Sequence, residues 1–161
     1  MSVTLDTNIC VSALEFGGLG ARILWMARAG VLRIDVSDAI VEELVTVLRD
    51  DFAWDGCRLH FAKEQIAGFT NRVKPTRKVY VVEADPDDNA ILECAAAGGS
   101  EWIVTGDKDL LRLGSFENIR IVRGAEFLKI GLPREGGHAG VIPACFEVPS
   151  MSRGKFCQSR W

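Results

Sequence analysis

Four acidic residues stand where carboxylates can do chemistry: Asp6, Glu43, Asp88 and Asp107. Asp6 directly ends the apolar run 2–5 (SVTL), and Asp107 follows the run 102–105 (WIVT) through Gly106. Asp88 closes Asp85-Pro86-Asp87-Asp88, where a proline and acids are placed as in the first turn of a helix. Glu43 lies three residues after Ile40 and four before Val47, at the flank of an apolar helical stripe. Four carboxylates converging in a low-dielectric cleft repel one another strongly unless protons or cations compensate. Mg²⁺ and Mn²⁺ are hard ions that take oxygen ligands. One or two of them can activate a water and orient a phosphodiester. The chemistry expected of such a set is phosphodiester hydrolysis without a protein nucleophile.

Each acid also has a plainer reading. Asp88 can complete a capping box with Asp85, Asp107 can be a helix N-cap, and Glu43 can be a solvated residue like Glu42. Asp6 resists dismissal most, because it ends an apolar strand. Thr7, Asn8 and Thr105 are short polar neighbours able to hold the acids in place. Asp85, Asp87 and Asp109 are spare acids nearby, and Asp109 is the favoured extra ligand.

These residues need a frame. Residues 2–5 read as a strand, 20–29 as a helix stopped by Gly30, and 32–36 as a strand. Ser37 caps a helix running to about Arg49, and a less clearly patterned helix at 59–73 ends before Pro75. A β-rich run at 79–82 (VYVV), a helix from 86 to Gly98-Gly99, a strand at 102–105, a short helix at 108–112, a strand at 119–122 and a helix at 124–130 follow. Short apolar strands alternating with helices predict an α/β fold with a mainly parallel central sheet covered on both sides. Ligand sites in such sheets lie beyond the carboxyl ends of the strands, where Asp6, Asp88 and Asp107 fall on this reading. From Pro133 onward no clean periodicity remains, so residues 1–132 read as the domain and 133–161 as an irregular extension.

Composition narrows the classes. A length of 161 residues suits one domain with a real core. Its net charge of −3 lacks the basic footprint of a passive nucleic-acid binder, although metal-binding carboxylates contribute to that sum. Five widely spaced cysteines without a C-x-x-C and two isolated histidines argue against a disulfide framework and a zinc site. The N-terminus shows no secretory pattern and no apolar run reaches membrane-spanning length, so a cytoplasmic protein is expected.

The segments Leu5-Asp6-Thr7-Asn8, 37–48 (SDAIVEELVTVL), 85–95 (DPDDNAILECA) and 103–111 (IVTGDKDLL), with 119–128 (IRIVRGAEFL), resemble the PIN-domain ribonucleases. The likeness is to the VapC-like branch, the toxin components of bacterial toxin–antitoxin pairs. It covers about residues 1–132; residues 133–161 have no counterpart in it. The resemblance implies a Rossmann-like three-layer α/β/α sandwich, Mg²⁺ or Mn²⁺ dependence and endonucleolytic cutting of single-stranded RNA. Asp6, Glu43, Asp88 and Asp107 fall on the family's four acids, and Asn8, Thr105 and Asp109 on its supporting polar positions. It further implies a homodimer and a cognate antitoxin whose C-terminal segment covers the acidic groove.

RNA contact needs positive charge, and Lys74, Arg77, Lys78, Lys108 and Arg112 are the candidates. Trp25 and Trp102 read as core residues, and Trp54 is open between core and base stacking. Two rivals differ in class. A phosphotransfer domain would want D-x-D or adjacent acids after the first strand, where Asp6-Thr7-Asn8 stands. A catalytically silent PIN-like scaffold binding RNA or a protein partner would keep the fold without converging acids.

Overall fold

The computed structural model describes residues 1–83 and 86–131. Asp85, the domain boundary placed at 132 and the extension 133–161, with Cys145, Cys157 and His138, lie outside the described residues.

The elements run β1 (Ser2–Leu5), α1 (Thr7–Glu15), α2 (Gly18–Arg28), β2 (Arg33–Ser37), α3 (Asp38–Asp50), α4 (Gly56–Ala67), β3 (Thr70–Val73), α5 (Pro86–Gly98), β4 (Trp102–Val104), α6 (Lys108–Leu113), β5 (Ser115–Phe116), β6 (Ile119–Val122) and α7 (Gly124–Gly131). Six strands form one sheet in the order β3-β2-β1-β4-β6-β5, parallel except for the β5–β6 hairpin. The order reverses at β1, so the crevice between β1 and β4 is the topological switch point where ligands collect in such folds.

Two apolar clusters flank the sheet. Val3, Leu5, Ile34, Val36 and Val104 point to one face, under α1, α2, α3, α4 and α7. Ile103, Ile119 and Ile121 point to the other, under α5, α6 and residues 79–82. This is the expected α/β/α sandwich, and its central strands are apolar and β-branched because both faces are covered. Packing is tight where α1 meets α2: a Cβ at Gly20 would lie 2.8 Å from the Ile9 carbonyl oxygen and 2.9 Å from the Ala13 Cβ. Ser37 caps α3 as expected, its Oγ accepting from the Ile40 N–H at 3.4 Å.

Two expectations are corrected. The helix expected at 59–73 ends at Ala67, and residues 70–73 form the edge strand β3. Its half-exposed sequence, Thr-Asn-Arg-Val, hides the strand alternation, while Asn71 Nδ2 donates to the buried Asp35 Oδ1 at 2.7 Å. The run 79–82 is irregular and joins no sheet. Its amides are taken by side chains of α5: Val79 N–H donates to Glu93 Oε1 at 2.9 Å, and Val81 and Val82 donate to Asn89 Oδ1 at 3.0 and 2.9 Å. Val79 and Val82 still bury in the second cluster. The helix α1 and the strand β5 are additions that the sequence reading lacked.

Candidate active site

At the carboxyl edge of β1 the chain turns directly into α1, and Asp6 is the hinge. Its backbone is extended (φ −60°, ψ 142°), and its Oδ1 accepts from the Asn8 N–H at 2.9 Å as the cap of α1. At the edge of neighbouring β4, Thr105 is fully buried and donates its Oγ1 proton to Asp6 Oδ2 at 2.5 Å. The same Oγ1 accepts from the Asp107 N–H at 2.9 Å. Asp107 in turn caps α6, Oδ1 accepting from the N–H groups of Asp109 at 2.6 Å and Leu110 at 3.4 Å. One hydroxyl thus ties together two carboxylate-bearing turns from adjacent parallel strands.

Burial pushes the Asp6 carboxyl above the ordinary carboxylate range, the bonds from Thr105 and the Asn8 amide pull it back down, and the charge of Asp107 raises it again. Other buried or half-buried carboxylates are treated differently. Asp35 faces Arg33 at 2.9 Å, Glu93 faces Lys78 at 3.3 Å and Glu15 faces Arg58 at 3.3 Å. Among the described residues no lysine or arginine pairs with Asp6 or Asp107. Two like charges at a dry strand edge without a counter-charge are costly.

Glu43 joins through α1. Thr7 Oγ1 donates to Glu43 Oε2 at 2.8 Å, which leans the α3 side chain over the edge. The buried thiol of Cys10, one turn further along α1, is pushed up to about 12 by burial first and then by the charges of Asp6 and Glu43. Asp88 is buried in the first turn of α5. The far end of α5 lies at the amino edge of the sheet, where Arg33 donates to the Gly98 carbonyl at 2.7 Å and Ser2 Oγ to the Gly99 carbonyl at 3.2 Å. Since α5 runs antiparallel to the strands, its first turn rises at the carboxyl edge where Asp6 and Asp107 sit.

The plainer readings hold alongside. Asp6 and Asp107 are both helix N-caps, but in each case capping uses one oxygen, Oδ1. Asp109 does not converge: its Oδ1 takes Arg112 at 2.9 Å. Asn8 supplies a backbone N–H from an exposed position. Among the described residues no three carboxylates, thiols or imidazoles are gathered closely enough to hold an ion as they stand. By donor chemistry the set fits a hard divalent ion, since Mg²⁺ keeps several waters and needs only one or two carboxylates directly. The absence of a counter-charge beside Asp6 and Asp107 is the second mark of fit.

The five cations divide. Arg77 pairs with Glu117, Lys78 with Glu93 and Arg112 with Asp109, while Lys74 and Lys108 are exposed and make no ion pair among the described residues. Trp54 is a core residue: its Nε1 donates to Glu15 Oε2 at 2.7 Å and the Arg58 guanidinium lies 3.7 Å over its ring. Trp102 is likewise buried, edge-on to Phe127.

Residues 2–109 match the PIN domain family. The chain belongs to that family. A solved structure, that of VapBC2 from Rickettsia felis bound to a DNA fragment from their promoter, shares the fold with a TM-score of 0.55 at 17% identity, over 76% of this chain and 98% of that one. A comparison with curated proteins found no match. Of the PIN-domain residues the sequence singled out, Asp6, Thr105 and Asp107 are directly linked, and Glu43 is drawn in by Thr7. Cys10 was not singled out as part of this site. Its signal was available, since Cys10 falls one helical turn after Asp6 in an apolar stretch.

Proposed function

We propose that this PIN domain is a Mg²⁺- or Mn²⁺-dependent endoribonuclease that hydrolyses single-stranded RNA, with Asp6, Glu43, Asp88 and Asp107 as its metal-binding and catalytic acids. The observation that carries this reading is the pair of carboxylates joined by the Thr105 hydroxyl at the switch point, with no basic partner among the described residues. When bound, such an ion polarises the phosphodiester and lowers the pKa of its water. The chain's own residues do the rest. Thr105 fixes the direction of Asp6 Oδ2, Thr7 sets Glu43 Oε2, and the N-cap bonds lock Asp6 and Asp107 to the starts of α1 and α6. Lys108 and Lys74, exposed and without an ion pair among the described residues, would meet an incoming phosphate, and Arg77, Lys78 and Arg112 would join them by exchanging Glu117, Glu93 and Asp109 for RNA phosphates.

The VapC-like sequence segments and the VapBC2 neighbour support a toxin role, with an antitoxin protein as partner, a homodimer as assembly and the cytoplasm as location. Among the described residues no single helix is long and apolar enough to cross a membrane. The second reading, a silent scaffold binding RNA or protein, is favoured by one observation: among the described residues the acids are not gathered into a ready-made ion cage.

Cleavage of several single-stranded RNAs with Mg²⁺ or Mn²⁺, comparing the wild type, Asp6→Asn and an EDTA control, separates the two. Metal-dependent cutting that disappears in Asp6→Asn is the expected result. Equal cutting by both proteins, or none by either, would overturn the assignment of these acids.

A further inference from the structure

One candidate acid, Asp88, stands in the first turn of α5, and helix ends fray. The apolar side chains that seat α5 in the core are Ile91, Leu92, Cys94 and Ala95, all further along the helix. In the turn before them Asp88 and Asn89 are buried, at 9% and 6% exposure. Asn89 makes three bonds to residues 81 and 82. Its Oδ1 accepts from the Val81 and Val82 N–H groups at 3.0 and 2.9 Å, and its Nδ2 donates to the Val82 carbonyl at 2.8 Å. The strap it grips is held by other means as well. Val79 and Val82 are buried in the same cluster as Ile91 and Leu92, and Glu93, one turn along α5, takes the Val79 N–H at 2.9 Å. Residues 79–82 are thus a pinned support, and Asn89 hangs the first turn of α5 from it.

We propose that Asn89 is a positioning residue for Asp88, holding that acid at the carboxyl edge for a divalent ion shared with Asp6 and Asp107. This rests on the metal-dependent nuclease reading above and deepens it. Satisfying three backbone groups of an irregular segment is by itself structural work. What adds a role in the site is the place of Asn89 in the chain, directly after Asp88, so that the three bonds fix the backbone from which the Asp88 side chain springs. The other acids are already held: Asp6 and Asp107 by Thr105 and their N-cap bonds, Glu43 by Thr7. Asn89 does the same for the fourth through its backbone. Groups that orient metal ligands act on metal affinity without touching the ion.

The test is a double-mutant cycle on the full chain: wild type, Asn89→Ala, Asp88→Asn and the two together. Mn²⁺ affinity is read by electron paramagnetic resonance from the signal of free Mn²⁺. The Mn²⁺ concentration for half-maximal cleavage of a single-stranded RNA is read alongside. Asn89→Ala should weaken Mn²⁺ binding about tenfold, and its cleavage should return toward wild type at excess Mn²⁺. In the Asp88→Asn background the same substitution should change neither reading, because the acid it holds is gone. Val81→Pro removes one of the three bonds from the strap side at an exposed position. It should give a smaller loss in the same direction, and it carries the test if Asn89→Ala does not fold. Ser100→Ala, which breaks buried hydroxyl contacts to Thr4 and Asp35, controls for lost stability and should leave both readings unchanged. Equal losses from Asn89→Ala in both backgrounds, or wild-type Mn²⁺ readings in Asn89→Ala, would leave Asn89 a purely structural role while the nuclease stands. If the wild type binds no Mn²⁺ and cleaves no RNA, the nuclease reading falls and this inference with it.

Discussion

Thr105 has no chemistry of its own, yet it sets the angle between two acids. Its hydroxyl donates to Asp6 Oδ2 and accepts from the Asp107 amide, and it is completely buried. Thr105→Val keeps the shape and removes both bonds, so Asp6 is left to rotate under repulsion from Asp107. Cleavage should fall about 10–100-fold, the usual cost of losing a group that orients a metal ligand, with far-ultraviolet circular dichroism unchanged. Undiminished cleavage would remove Thr105 from the site. Asp6 itself gives a stability test with a definite sign. Its folded-state pKa is raised, burial being the main cause, so the stability associated with its proton is present at acid pH and lost as pH rises through the folded pKa. In EDTA at pH 7, Asp6→Asn should therefore melt at a higher temperature than wild type, and the difference should shrink as pH falls. A lower melting temperature at pH 7 would mean that the Asp6 charge is compensated within the protein. Of the four acids, Asp6 directly follows an apolar strand and Asp107 follows one through Thr105 and Gly106, so sequence position alone put both at the carboxyl edge of the sheet. The Thr7 bond to Glu43 was not legible, because it joins residues 36 apart.

At the scale of elements, the sequence disclosed those that bury a continuous apolar face and hid those whose partners are side chains. β1, β4 and α3 were visible for the first reason. β3 was lost because an edge strand with exposed Asn71 and Arg72 carries no alternation, and 79–82 was misassigned because the amides of Val79, Val81 and Val82 are held by Glu93 and Asn89 instead of a neighbouring strand. The helix α1 escaped because Asp6-Thr7-Asn8 reads equally as a turn, although α1 is the element that carries Thr7 and Cys10. Its position depends on α2. At Gly20 the two helices touch so closely that even a methyl group meets the Ile9 carbonyl and the Ala13 methyl. Gly20→Ala should push α1 away and destabilise the fold by about 1–3 kcal/mol, the usual range for overpacking, read as a lower urea midpoint. Because α1 is capped by Asp6, the same variant should lose cleavage at temperatures where it is still folded. Wild-type stability in Gly20→Ala would show that the helices can part freely.

At the scale of the whole molecule, both apolar clusters of the described residues are built from positions 3–128. Among the described residues the last core members are Phe127 and Leu128 on α7, which pack on the α2 side of the sheet, Phe127 edge-on to Trp102. Within the same span the sheet has a buried polar layer: Asp35 accepts from Arg33, Asn71 and Ser100, and Ser100 is bonded to Thr4. These contacts join β1, β2, β3 and the loop before β4, so the amino edge of the sheet is held by a polar network and the carboxyl edge by the Thr105 bridge. A truncated chain of residues 1–131 should therefore fold by itself. Its melting temperature should lie within a few degrees of the full chain's, since a shift of roughly 2–4 °C corresponds to about 1 kcal/mol at this size. Its denaturant m-value, which scales with the surface exposed on unfolding, should also match closely. A markedly lower m-value together with a large loss of stability would mean that residues 132–161 bury apolar surface on the domain. The division at residue 132 would then be wrong, and the extension would be part of the core rather than an appendage to it.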